Sequence, residues 1–315
     1  MPSNSPNPLK NLRHLIIFFT LALPLTLCHA QGVIALSFDD PNTAASPSMI
    51  WQERNQKILQ TLAFHDLKTV LFVCRNKVDD PRGRALVSSW AKAGHAIANH
   101  SATHPNFGSK KATAAQFEQE LVRCDSFITA YANATKLFRF PFLKEGFSAE
   151  KRDSMRQILE NHGYRNGYVS IDASDWYVDQ MLCDSLRKNP YLDPRPYKEF
   201  YVSHILERAN YYDSLAVLLT GRKVQHVLLL HHNLLNALFL DDVIRSMTAK
   251  GWAFHQTLDA YKDPIYREMP DIVPAGEGII WGLAKAQEKH AKNLRYPAED
   301  SEYEAERLLR ALQKQ

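Results

Sequence analysis

From residue 32 to residue 256, short apolar runs alternate with segments of helical period, and this alternation is what most limits the fold. Strand-like runs lie at 32–38, 69–74, 95–99, 137–140, 168–171, 224–230 and 252–256. Helix-period segments lie between them at 50–64, 81–93, 113–131, 149–162, 204–220 and 240–250. Strands separated by helices of ten or more residues pair in parallel, and a parallel sheet needs both faces covered. Seven such strands suit a closed sheet better than an open one. The expected fold is therefore α/β: a distorted (β/α) barrel of about seven parallel strands. Residues 261–315 follow it as a helical extension packed on the outside.

One stretch breaks the alternation. Residues 176–201 carry Pro190, Pro194 and Pro196 among Tyr177, Tyr191, Tyr197 and Tyr201, and read as a long aromatic loop that walls a cleft or packs on the surface. The composition, 45% hydrophobic and 23% charged, is that of a globular chain. With a formal charge of only +4 and no Lys/Arg run to track phosphates, nucleic acid is not an expected partner.

Residues 1–30 read as an export signal. Lys10 and Arg13 precede the apolar run 15–27, and Cys28 and Ala30 are small residues at the positions that cleavage favours. The apolar run is short for a membrane span, so a cleaved signal with no stable membrane insertion is expected, with an uncleaved anchor as the alternative. The compartment implied is secreted or periplasmic. Beyond the signal only Cys74, Cys124 and Cys183 remain. Either two of them pair and one is left over, or all three are buried thiols.

Polar residues gather where strands end. Asp39 and Asp40 follow the first strand, and His100 and His104 follow the third. Arg139 lies near the end of the fourth strand, Asp172 and Asp175 follow the fifth, and His231 and His232 follow the sixth. In α/β barrels the C-terminal strand ends build the active site, so these groups should converge on one rim. One carboxylate and two imidazoles can hold a divalent cation while leaving a position open to water. A lone Asp-Asp is more often a turn or a helix cap, and a lone His-x-x-x-His seldom binds metal. Five clusters at five strand ends are harder to dismiss.

The set Ser37-Phe38-Asp39-Asp40, His100-Ser101-Ala102-Thr103-His104, Arg139-Phe140-Pro141-Phe142, Asp172-Ala173-Ser174-Asp175-Trp176 and Leu229-Leu230-His231 resembles the polysaccharide deacetylase (NodB-homology) family, carbohydrate esterase family four. The resemblance implies that Asp40, His100 and His104 hold the metal and that Asp39 is the catalytic base. It implies that Arg139 pairs with Asp39, and that His231, oriented by Asp175, is the acid. It implies that the backbone N–H of Phe142 helps to stabilise an oxyanion, while Trp176 and Leu229 line a pocket for an acetyl methyl. The metal implied is zinc, with cobalt, nickel, manganese or iron able to occupy the same ligands. The substrate implied is an acetylated glycan. N-acetyl groups of chitin-, peptidoglycan- or other N-acetylhexosamine-containing material come first; O-acetyl esters, a small-molecule amide and a non-enzymatic glycan-binding role are the alternatives.

Two positions depart from the pattern. Phe142 stands where the family commonly has Tyr, and His231-His232-Asn233 stands where the histidine is usually followed by Asp. Adjacent strand residues face opposite sides, so only one of the two histidines can reach the site; counting from Leu229 favours His231.

Overall fold

The computed structural model describes residues 1, 31–291, 294 and 301–313. Apart from Met1, the expected export signal lies outside the described residues. In chain order the main elements are β1 (Gly32–Asp39), α1 (Trp51–Phe64), β2 (Val70–Val73), α2 (Pro81–Lys92), β3 (Ala96–Asn99), α3 (Ala114–Ile128) and β4 (Ala134–Phe138). Then come β5 (Lys144–Gly146), α4 (Ala149–Asn161), β6 (Arg165–Asn166), α5 (Asp175–Lys188), α6 (Arg195–Thr220), β7 (Gln225–His231) and α7 (Leu234–Ala249). The chain ends with β8 (Trp252–Phe254), α8 (Thr257–Ala260), β9 (Ala275–Gly276), α9 (Ile279–Ala286), α10 (Glu288–Ala291) and α11 (Ser301–Gln313).

β1 is apolar almost throughout because it is buried from both faces, as the centre of a parallel sheet must be. It pairs in parallel with β7 along nearly its whole length, with β8 over its first residues and with β2 over its last. The sheet runs β6-β4-β3-β2-β1-β7. Its two edges meet through one short stretch of chain. Residues 165–166 pair with Leu137 and Phe138 of β4 at one edge, and Ile171 bridges Leu228 of β7 at the other. The Leu229 N–H donates to the Ile171 carbonyl at 3.0 Å across that seam. The barrel is thus closed by a linker between two edges, not by a full strand. The strand expected at 168–171 shortens to that bridge because the chain must cross from β4 to β7 there.

The strands meet in one apolar core that includes Ile34, Leu36, Phe38, Val70, Phe72, Ile97 and Leu228, sealed outside by Trp90, Val243 and Met247. A smaller cluster of Phe107, Phe117, Phe138, Phe140 and Met155 packs α3 and α4 on the flank of β4.

The aromatic loop expected at 176–201 is not a loop. Residues 175–188 form α5, and α6 begins at Arg195, leaving only 189–194 as a connection. Val178, Leu182 and Leu186 recur at helical spacing and are buried. Pro194 and Pro196 sit at the start of α6, where the missing N–H costs no intrahelical bond. The prolines mark a helix start. The helix expected at 240–250 likewise begins earlier, at Leu234, where the Asn233 side chain accepts from the Asn236 N–H.

All three cysteines are buried free thiols, so of the two expected states the unpaired one holds. In the tail, β9 pairs antiparallel with β5, and α9 and α11 pack on α6. Glu304 of α11 forms a fully buried ion pair with Arg208 of α6. Among the described residues no helix is long and apolar enough to cross a membrane.

Candidate active site

Register brings the polar strand ends together. Asp39 lies opposite His231 of β7 on one side and Phe72 of β2 on the other, and Asn99 of β3 lies opposite Val73 and Phe138. A cleft of about 340 Å3 opens on that rim, lined by Asp39, Asp40, His100, His104, His231, Phe140, Phe142, Leu143, Trp176 and Leu229. Arg139 and Asp175 stand just behind this lining, each bonded to a residue in it. Asp172 is also buried, but beside Arg208 and outside the cleft lining.

Asp39 is held from beneath. Arg139 donates from Nη1 to Asp39 Oδ1 at 2.6 Å, and both side chains are almost wholly buried. The rest of the guanidinium is also spent: Nη1 donates to Ser37 Oγ at 3.0 Å, Nη2 to the Tyr261 hydroxyl at 2.9 Å and Nε to the Gly167 carbonyl at 2.9 Å. Its plane lies 3.8 Å from the centre of the Phe72 ring. A buried arginine held by four hydrogen bonds cannot swing freely, so Asp39 is fixed in position. Burial pushes its pKa up to about 6 even though Arg139 pulls the other way. It is therefore ionised near neutral pH yet basic enough to accept a proton.

Asp40, the next residue, has the opposite environment. Burial raises its pKa, but His100, His104 and the Lys77 ammonium outweigh burial and hold the carboxyl well below the usual range. His100 Nδ1 lies 2.8 Å from the Arg139 carbonyl. A carbonyl only accepts, so Nδ1 carries the hydrogen and Nε2 offers its lone pair toward Asp40. Burial lowers the pKa of both imidazoles, while Asp40 pulls it back up. One ligand atom each from Asp40, His100 and His104 falls within 4.8 Å of the others. Asp40 Oδ1 is buried with no hydrogen-bond partner. An orphaned carboxylate oxygen facing two imidazoles fits a divalent cation.

The backbone here is strained. Asp40, Ser101, His104, Phe142, Leu143 and Ser174 all take positive φ between 51° and 68°, a region that side-chain-bearing residues seldom occupy. Four of them line the cleft. The turn at 142–143 brings the Phe142 ring against His104, 4.8 Å between centroids, and leaves it 41% exposed at the rim.

His231 faces the other wall. Its Nδ1 lies 2.6 Å from Asp175 Oδ1, and its backbone N–H donates to Asp175 Oδ2 at 2.8 Å. Asn233 and Asn236 donate to that second oxygen at 3.1 and 2.7 Å. Burial works against the imidazolium, but Asp175 and then Asp39 and Asp40 outweigh it, raising the pKa to about 10. His232 points away, with Nε2 3.2 Å from Asn55 Oδ1, and burial pushes its pKa down to about 3. Leu229 and Trp176 complete the apolar wall.

Four supporting residues escaped the sequence. Ser37 and Tyr261 anchor Arg139, Asn236 anchors Asp175, and Lys77 lies 2.7 Å from Asp40 Oδ2. Only Ser37 stands inside a motif. The others come from a turn and from helices whose polar residues carry no spacing that points to the site.

Residues 27–167 match the model of a family described as polysaccharide deacetylase. Over that span the chain resembles the polysaccharide deacetylase family. No curated protein matches the chain. Among solved structures, it is similar to a mutant of BA3943, a CE4 family pseudoenzyme from Bacillus anthracis, with restored enzymatic activity (TM-score 0.52, 18% identity, 74% of this chain and 68% of that one). The polysaccharide deacetylase Bc1974 from Bacillus cereus gives 0.52 at 21% identity, over 72% and 92%. The Bc1960 peptidoglycan N-acetylglucosamine deacetylase gives 0.51 at 18%, over 73% and 87%. These structural likenesses concern the fold, which this chain shares.

Proposed function

We propose that this protein is an exported, metal-dependent hydrolase that removes N-acetyl groups from an N-acetylhexosamine-containing glycan. Fold alone cannot carry this, since a similar structure is named a pseudoenzyme. What carries it is the pairing across one small cleft of a carboxylate with a pKa near 6 and an imidazole with a pKa near 10. One is ready to take a proton and the other to give one.

Asp40, His100 and His104 are the residues that would hold the cation, zinc being the first choice for one oxygen and two nitrogens. Bound there, it would supply Lewis acidity toward a water and toward the acyl oxygen. Asp39 takes the proton from the attacking water, and Arg139 keeps it aimed. The Phe142 N–H, set by the left-handed turn, serves the developing oxyanion. His231 delivers its proton to the departing amine, and Asp175 keeps the imidazole charged. Phe140, Leu143, Trp176 and Leu229 give the methyl an apolar berth. An amide nitrogen is a poor leaving group until it is protonated, so an acid held at a pKa near 10 suits an amide better than an ester.

Export rests on Lys10 and Arg13, the apolar run 15–27 and the small residues Cys28 and Ala30. The test is acetate release from chitooligosaccharide, peptidoglycan and acetylated xylan by zinc-loaded protein. Release from the first two supports the reading, release from xylan alone turns it to an ester hydrolase, and release from none overturns it.

A further inference from the structure

The metal-site reading leaves one charge without a role. Lys77 is neither a ligand nor part of the cleft lining, yet its Nζ lies 2.7 Å from Asp40 Oδ2, the oxygen that is 3.3 Å from His104 Nε2. Its position is built in. The turn Arg75–Lys77 follows β2 directly, and it is stitched to the histidine loop by Arg75 N–H to the Ser101 carbonyl at 3.2 Å and Asn76 N–H to the Ala102 carbonyl at 2.9 Å. The Lys77 N–H donates to the Cys74 carbonyl at 3.1 Å, closing the turn. The loop that carries His100 and His104 therefore also sets where this ammonium stands.

We propose that Lys77 is a resident counter-cation of the metal site: it neutralises Asp40 when no divalent ion is bound, and it weakens the binding of that ion. The inference rests on the assignment of Asp40, His100 and His104 as ligands. Without metal, Asp40 is a largely buried carboxylate whose ammonium partner is Lys77, and a buried anion with no opposite charge is costly. Lys77 removes that cost. With metal bound, a second positive charge remains within reach of the same carboxylate and repels it, or must withdraw into solvent. Lys77 is about one-third exposed, so the route out is open. In both cases Lys77 stabilises the metal-free form more than the loaded one. Linkage then requires metal to bind more weakly with Lys77 than without it.

The test uses the full chain, stripped with a chelator and then titrated with zinc against a competing chromophoric chelator, with melting followed in both states. Lys77→Met keeps the length of the stem and removes the charge; Lys77→Arg keeps the charge. For Lys77→Met the expected results are a zinc affinity about tenfold tighter, a lower melting temperature without zinc, and an unchanged one with zinc. Lys77→Arg should stay near wild type in all three. Equal or weaker zinc affinity in Lys77→Met, or an equal loss of melting temperature in both states, overturns the role of Lys77 while leaving the ligand assignment intact. A wild-type protein that takes up no stoichiometric zinc overturns the ligand assignment and this inference together.

Discussion

The two halves of the barrel reach the same cleft by different means. From β1 to β4 the strands pair in parallel, with one register shift between β3 and β4, and Asp39, Asp40 and His100 at their ends line the rim, with Arg139 just behind. From residue 165 onward the sheet holds a two-residue strand, a single bridge, β7 and the short β8, and the support passes to helices. Asp175 opens α5, Asn236 lies in α7, and Tyr261 follows α8. Strand ends lie side by side along a rim, so register brings Asp39, Asp40 and His100 together there. A helix can bring a buried group to the same point from a residue far away in sequence. The match to the family model ends at residue 167, where the first half ends.

That division can be broken experimentally. Asp39→Asn should give the largest effect, a loss in turnover of about 10²–10⁴ on amide and ester substrates alike with zinc content unchanged, since only the base is removed. Steady-state acetate release and metal analysis check it; retained turnover would remove Asp39 as base. His231→Ala strikes the second half. It should cost about a hundredfold or more on an N-acetylated glycan and less than about tenfold on an O-acetyl ester, because an alkoxide leaves with less help from an acid. Equal losses on both substrates would assign His231 to substrate binding instead.

The third prediction concerns pH. The acid must be protonated to act, so activity should fall as pH rises through about 10, the raised pKa of His231. Asp175→Asn removes the strongest support for the imidazolium, so the falling limb should move to lower pH, toward the ordinary histidine value. A pH–rate profile that keeps its alkaline limb in the variant would detach Asp175 from the acid. The smallest effect is expected at the contact between the halves. Tyr261→Phe deprives a buried guanidinium of one acceptor and should lower stability by about 1–3 kcal/mol in denaturant titration, with turnover reduced far less than by Asp39→Asn. A loss in turnover without a loss in stability would make Tyr261 part of the chemistry.

Much of the site was legible because it is written at strand ends. Once the alternation from residue 32 to 256 is read as parallel strands, Asp39, His100, Arg139 and His231 must share a rim. The prolines of 190–196 were misread because proline both interrupts helices and starts them, and only the buried spacing of Val178, Leu182 and Leu186 tells which. Lys77, Asn236 and Tyr261 were not legible at all. Each is a common polar residue whose role depends on one contact made across the fold.

The sequence by itself determined the fold class, the set of reactive side chains and the rim on which they meet, since periodicity and strand direction are local properties of the chain. The tertiary structure alone decided what each group is. Asp39 and Asp40 are the same residue, one peptide apart, yet deep burial, partly offset by Arg139, holds the pKa of one near 6. Two imidazoles and an ammonium keep the other an anion. His231 and His232 divide in the same way, into a cation beside Asp175 and a neutral ring among buried side chains. Protonation state depends on desolvation and on charges brought from distant parts of the chain, and neither exists until the chain has folded.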